Sequence, residues 1–333
     1  MKEPFYNDLL FTHKIALSCD YFWPPHGERY EKQFQHLDKG LTDEKMLSIE
    51  PYSIIYADSS KLGYFNYLNK IKVPFIIVSA ESDYGIPFVD TKNKFLGNLS
   101  LIYNPNLIRW YSTNVDMIHP KLVCIPIGLP KHVPFLHQNY IGWNATSRIN
   151  DVEYFINNKI YISSVKENIL NNNNDRRKLL YVKMTLGNSK KTNHVFENIR
   201  EDSLEKLNKN GFNEIDPTLV YWTEYISQLS NYKFCLSLPG KGLDCYRTWE
   251  ALILGVIPIV INTNLNVLYD DLPVLIVNDV SEINSQFLND KYKEICGNID
   301  NYKWEKLSSG YWVERIKTDV ESQIKFLKND PSF

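Results

Sequence analysis

Cysteine is scarce: Cys19, Cys124, Cys235, Cys245 and Cys296 are the five in 333 residues. Their odd number and the want of any C-x-x-C pair exclude a disulfide framework and a zinc ribbon. They read as small buried hydrophobes in a reducing compartment. No window is apolar over the length that a membrane-crossing helix needs, and the opening MKEPFYNDLLF carries no stretch suited to a signal peptide. Net charge is nearly absent too, with 37 Lys and Arg against 39 Asp and Glu giving −2. That excludes a global basic field for nucleic acid or an anionic membrane, though not a local site built from a few cations. No repeat is evident. A Gly-x-Gly-x-x-Gly fingerprint opening the first βα unit is missing as well, which excludes a dinucleotide-dependent oxidoreductase.

What is present suits a two-domain α/β protein. Hydrophobic residues make up 44% and charged residues 23%, a globular balance, and the length exceeds one ordinary core. Aromatics reach 14% with 22 Tyr; most fill a core, although Tyr and Trp faces also suit sugar rings. Continuous Ile/Val-rich runs predict strands over 14–18, 53–56, 74–79, 99–103 and 122–127, with a short helix over 105–112. The pattern weakens from 130 to 177, around the run Asn171 to Asn174, and the domain boundary is placed there. It then resumes with strands at 179–184, 234–238, 257–261 and 273–277 and helices at 194–207, 221–229, 245–254 and from 281. The expected division is an N-terminal acceptor-side domain over 1–150, a C-terminal ligand-binding domain over 175–300, and a helical tail over 301–333 that packs back on both.

The most informative segment is KFCLSLPGKGLDCYRTWEALILGVIPIVI, residues 233–261. A buried strand enters a Pro-Gly-x-Gly turn, and a helix follows with Asp244 as its predicted cap and Gly255 as its left-handed stop. Gly240 and Gly242 admit a ligand close to the backbone. The helix start offers N–H donors and partial positive charge to a phosphate. Arg247 and Glu250, three apart on one helix face, fit a diphosphate and a ribose respectively. The bland alternative is a glycine turn beside an intrahelical ion pair.

Ser237-Leu238-Pro239-Gly240-Lys241-Gly242-Leu243-Asp244 followed by Tyr246-Arg247-Thr248-Trp249-Glu250-Ala251-Leu252 resembles the donor-binding core of exostosin-like glycosyltransferases, nearest the ribitol xylosyltransferase-like branch with its viral and bacterial relatives. Gly255 to Val260 and Tyr269 to Val274 continue the likeness. Ser82-Asp83, Asn114, His119-Pro120-Lys121 and Ile125 to Gly128 extend it into the first half. The resemblance implies a GT-B fold of two Rossmann-like parallel-sheet domains facing a cleft. It also implies an inverting hexosyl- or pentosyltransferase with a UDP-linked nucleotide-sugar as co-substrate, a glycan acceptor, and no required metal or cofactor. Donor contacts are expected from Gly240, Lys241, Gly242, Asp244, Arg247, Thr248 and Glu250. The family often has an arginine after the strand opening the second domain. Here Lys190 and Lys191 stand in that stretch, either replacing it or belonging to a solvated loop.

Inverting transfer needs a base near the acceptor hydroxyl and stabilisation of the departing diphosphate. Asp83, after the strand over 74–79, is the favoured base, with Glu81 and His119 as alternatives; a turn aspartate competes for Asp83 and a structural loop bond for His119. Asp20, Trp23, His26, Tyr84 and Asn114 are acceptor-side candidates. Metal-dependent families use an Asp-x-Asp motif, and the nearest acidic pair, Asp270-Asp271, reads as a turn. The expected setting is the cytoplasm, with peripheral membrane association through partners left open. The rival reading is a nucleotide-sugar- or glycan-binding subunit that has lost its base.

Overall fold

A computed structural model describes residues 8–25, 39–80, 82–91, 94–97, 99–129, 165–167, 169, 178–186, 196, 198–213, 220 and 222–329. In chain order the labelled elements are α1 (Thr12–Leu17), β1 (Tyr21–Trp23), α2 (Asp43–Met46), β2 (Ser53–Asp58), β3 (Phe75–Ala80), β4 (Phe88–Thr91), β5 (Lys94–Gly97), α3 (Leu99–Ile102), β6 (Leu107–Ser112) and β7 (Leu122–Cys124). They continue as β8 (Lys178–Tyr181), α4 (Ile199–Lys209), α5 (Trp222–Leu229), β9 (Tyr232–Leu236), α6 (Tyr246–Ile253), β10 (Ile257–Ile261), α7 (Asn266–Tyr269), β11 (Leu275–Val277) and α8 (Ser285–Gly297). A terminal helix spans Ser309–Asn329. The chain divides into two compact units, one of residues 12–127 with 310–333 and the other of residues 1–11 with 128–309.

The first unit is built on a parallel sheet in the order β1-β2-β3-β6-β7. β2 reads SIIYAD and β3 FIIVSA, nearly continuous apolar runs, and every β3 residue is buried. Such strands need cover on both faces, which is how parallel sheets are used. Ile55, Phe65, Phe75, Ile77 and Trp110 form the centre of its core. The polar groups among them are satisfied: Trp110 Nε1 donates to Ser79 Oγ at 2.7 Å, and Ser79 Oγ meets Ser112 Oγ at 2.6 Å.

Three expectations fail here. Residues 14–18, expected as a strand, lie in helix α1 and its end. Residues 99–102, also expected extended, form the single turn α3. Residues 107–112, expected helical, are strand β6, because Trp110 and Tyr111 gain more from pairing beside β3 than from a solvated helix face.

The second unit carries a parallel sheet in the order β11-β10-β9-β8. β10, IPIVI, is buried throughout, and Phe234, Leu236, Ile257, Ile259 and Leu288 centre its core. The α/β class with two parallel sheets is therefore as expected. Both orders run in chain sequence, so among the described strands neither sheet has the reversal that locates a ligand crevice in many α/β folds. A site must be argued from strand ends alone. Among the described residues no helix is long and apolar enough to cross a membrane.

Within the second unit the chain's early segment meets its late one. Leu9 bridges Ser308, Phe11 bridges Gly128, and the Phe11 N–H donates to Ser309 Oγ at 2.9 Å.

A short 3₁₀ turn before α8 is fixed by a capping box. Asp279 accepts from the Ser281 N–H at 2.8 Å, and Glu282 accepts from the Asp279 N–H at 2.9 Å. The Lys206 ammonium 2.6 Å away, with the Ser281 hydroxyl and N–H, holds the Asp279 carboxyl down to about 2. Asp279→Ala is expected to cost about 1 kcal/mol, mostly the cap, since the ion pair is largely solvated. A depressed folded-state value makes this stabilisation present above the ordinary carboxylate range and lost as pH falls from about 3.8 toward about 2. Urea midpoints measured at neutral pH and in that acid range check both parts.

Candidate functional site

Strand β9 ends at Leu236, and Ser237 begins the turn with its N–H still on the Ile259 carbonyl at 2.8 Å. The turn closes on itself through the Gly240 N–H to the Gly242 carbonyl at 3.0 Å. Ser237 Oγ lies 2.8 Å from Thr248 Oγ1, which ties the strand end to the first turn of α6. At its far end α6 stops as expected. Gly255 has φ +69°, its N–H reaches the Leu252 carbonyl at 2.9 Å, and the Val256 N–H reaches the Ala251 carbonyl at 2.8 Å.

Asp244 is not the cap. Cys245 occupies the cap position, and the Asp244 carboxylate is buried beneath the helix. There it accepts from Trp249 Nε1 at 3.0 and 3.1 Å and from the Tyr269 hydroxyl at 3.4 Å. Trp249 is wholly buried, so its indole N–H needs a partner, and the carboxylate supplies one.

The residue that sequence reasoning missed is Arg200. It rises from α4 with its side chain buried and donates to three carbonyls: Nη1 to Thr185 at 2.8 Å, Nε to Pro239 at 3.0 Å and Nη2 to Leu238 at 3.2 Å. A Cβ at Gly240 would lie 2.5 Å from Arg200 Nη2. The glycine therefore makes room for a guanidinium behind the turn, which differs from the expectation that it clears space for a ligand. A signal was available, because Arg200 falls on the same α4 face as Ser203 and Leu207, both buried. Burial lowers the proton affinity of Arg200, and the nearby Arg247 cation acts in the same direction.

Arg247 stands in the first turn of α6, with its guanidinium carbon 6.0 Å from the Tyr225 ring centroid on α5. Among the described residues its buried Nε has no hydrogen-bond partner, and the buried Tyr225 hydroxyl lies close enough to stabilise its charge. Burial, with the Glu250 charge nearby, holds Tyr225 neutral far above its ordinary range. Glu250 and Thr248 are each 1% exposed, whereas Lys241 is exposed. Burial pushes the Cys235 thiol up to about 12, so it carries no thiolate. Cys245 Sγ donates to the Leu238 carbonyl at 3.3 Å. The turn thus gathers two guanidiniums, one of them spent on the backbone and the other with an unused donor.

In the unit of residues 12–127 the loops after β3 and β6 meet at the carboxyl edge of the sheet. Asn114, buried with φ +55°, donates through Nδ2 to the Ser82 carbonyl at 2.9 Å, and its own carbonyl takes the Ile86 N–H at 2.9 Å. Asp83 is exposed beside that contact, and Tyr84 is half-buried against the core. Asp116, exposed two residues after Asn114, adds a carboxylate to this edge that the sequence reading passed over. His119 Nδ1 accepts the Lys121 N–H at 3.1 Å, a loop bond of the structural kind weighed for it.

Two acceptor-side expectations change. Trp23 is buried in β1, edge-on to Phe65 at 5.5 Å, and belongs to the core rather than an exposed loop. Asp20 precedes β1 instead of ending a strand, and its Oδ2 takes the Ile54 N–H at 2.8 Å. His26, Glu81, Lys190 and Lys191 lie outside the described residues. Asp271 occupies a turn with φ +62° and accepts from Lys303 Nζ at 2.8 Å. Among the described residues no group of three or more His, Cys, Asp or Glu could hold a metal ion.

No family model matches the chain, and no curated protein does. Among solved structures it is similar to an α,α-trehalose-phosphate synthase (UDP-forming) from Burkholderia vietnamiensis, at 9% identity and a TM-score of 0.35, over 82% of this chain and 75% of that one. The α/β architecture stands on the strand pairing above and takes nothing from this likeness.

Proposed function

We propose that the chain is a glycosyltransferase of the GT-B, exostosin-like kind, and that the turn over 239–242 holds the diphosphate of a nucleotide-sugar. The observation that carries this reading is Arg247. Its guanidinium sits in the first turn of α6, beside a turn locked from behind by Arg200, with its buried Nε unbonded. A buried cationic donor without a partner is costly unless something anionic completes it. The helix start adds its own partial positive charge.

In this reading the turn amides, Arg247 and the exposed Lys241 stabilise the leaving diphosphate as the bond to the anomeric carbon breaks. Glu250 stands one turn further on for the ribose. Asp244 and Thr248 position the turn through Trp249, Tyr269 and Ser237 and do not touch the donor. A carboxylate takes the proton of the acceptor hydroxyl, and Asp83 is the preferred group, with Asp116 on the same sheet edge. A UDP-linked donor, xylose as its sugar, and inversion at the anomeric carbon follow from the motif resemblance.

A panel of nucleotide sugars, scored for released nucleotide, tests the proposal. Slow release from one UDP-sugar above the others is expected. Donor binding by calorimetry without release or transfer favours a binding subunit instead, and failure of the whole panel to bind sinks both readings.

A further inference from the structure

A cavity lies within the unit of residues 12–127 and 310–333. It has a volume of about 330 Å³ and opens between β6, β7 and the terminal helix. Its chemistry comes from Arg109 and Tyr111 on β6 and from Trp312, Arg315 and Asp319 on the helix. Its size is in the range of small-molecule sites.

The charges in it do not balance. Asp319 accepts from the Tyr111 hydroxyl and stands 3.7 Å from Arg109 Nε. Arg109 Nη1 donates to the Pro120 carbonyl, and among the described residues its buried Nε has no hydrogen-bond partner beyond the Asp319 ion pair. Arg315 stacks over the Trp312 ring, 5.3 Å from guanidinium carbon to centroid, and among the described residues no carboxylate pairs with it. Stacking leaves the edge of the guanidinium fork open for a planar oxyanion. Two cations therefore face one carboxylate, leaving one positive charge. Burial, and then Asp319, keep the Tyr111 phenol protonated.

We propose that this cavity binds a small hydroxylated carboxylate of the sugar-acid class. The carboxylate is held by the Arg315 fork beside the Arg109 cation, and Asp319 accepts from a ligand hydroxyl. One residual positive charge matches a monoanion. A phosphate monoester, with a charge of about −1.5 to −2 at neutral pH, carries more charge than the one positive charge left in the cavity can neutralise.

Glucuronate is the probe, titrated by calorimetry into the full chain, with glucose and inorganic phosphate alongside. Millimolar binding of glucuronate is expected, weakened about tenfold or more in Arg315→Gln and only partly restored in Arg315→Lys, which returns the charge without the fork. Arg315 is exposed, so both variants should keep the wild-type melting temperature. Arg247→Ala should leave the affinity unchanged, which separates this site from the donor turn. The idea is overturned by glucuronate affinity that ignores Arg315→Gln, by glucose binding as tightly, by phosphate binding more tightly, or by no glucuronate binding at millimolar concentration.

Discussion

Arg247→Ala is expected to lower donor turnover about a hundredfold or more while the protein stays folded. Removing one preorganised donor from a developing oxyanion costs that much when the site is shielded from water. The fold should survive because the truncated group makes no hydrogen bond through Nε and meets the rest of the unit chiefly at Tyr225, through its ring and its hydroxyl. Stability should change by no more than about 1 kcal/mol, the size of a partly desolvated cation–π contact. Arg247→Lys restores a charge without the fork and should recover only part of the rate. If the guanidinium acts on the leaving group, the loss appears in kcat; if it only holds the donor, KM rises with kcat unchanged. Wild-type turnover in a folded alanine variant would remove the basis of the proposed function.

The second large effect concerns Arg200. Arg200→Ala strips donors from the carbonyls of Thr185, Leu238 and Pro239 and leaves a cavity behind the turn. Each buried acceptor left unsatisfied costs about 1–3 kcal/mol, and water entering the space recovers part of it. A net loss of about 3 kcal/mol or more is expected, read as a lower urea midpoint. Gly240→Ala tests the same contact from the other side. Its methyl would meet Nη2 at 2.5 Å, so alone it should cost about 1–3 kcal/mol by crowding. In the Arg200→Ala background the methyl has room, and the second cost should largely vanish. Additive costs in the double variant would show that the two residues do not press on one another.

These cases also show where the sequence is readable. SIIYAD, FIIVSA and IPIVI announce buried strands, because continuous β-branched runs have few other uses in so polar a chain. Gly255 was readable because a helix stop needs a left-handed residue there. The failures occur where a run is short. Over 14–18 the apolar residues fit a strand or one helical turn equally, and only packing decides.

At the candidate site the glycine turn, Arg247 and Glu250 stand out from local pattern alone, as candidates. Asp244 reads as a cap because it precedes a helix, but a buried indole 5 positions on competes for the same carboxylate and wins. Arg200 was overlooked for a different reason. Its partners are 15, 38 and 39 residues away in the chain, and nothing in IREDSLEKLNK names them.

The way the chain threads its two units limits how the protein can be cut. It passes from one to the other between residues 11 and 12, again between 127 and 128, and a third time between 309 and 310. No single truncation can then yield either half intact: a fragment ending at 127 forfeits the terminal helix, and one starting at 128 forfeits the Leu9 and Phe11 bridges. Dissection of this molecule calls for splicing out an internal stretch and rejoining the ends, a strategy helped by Phe11 and Gly128 already being paired.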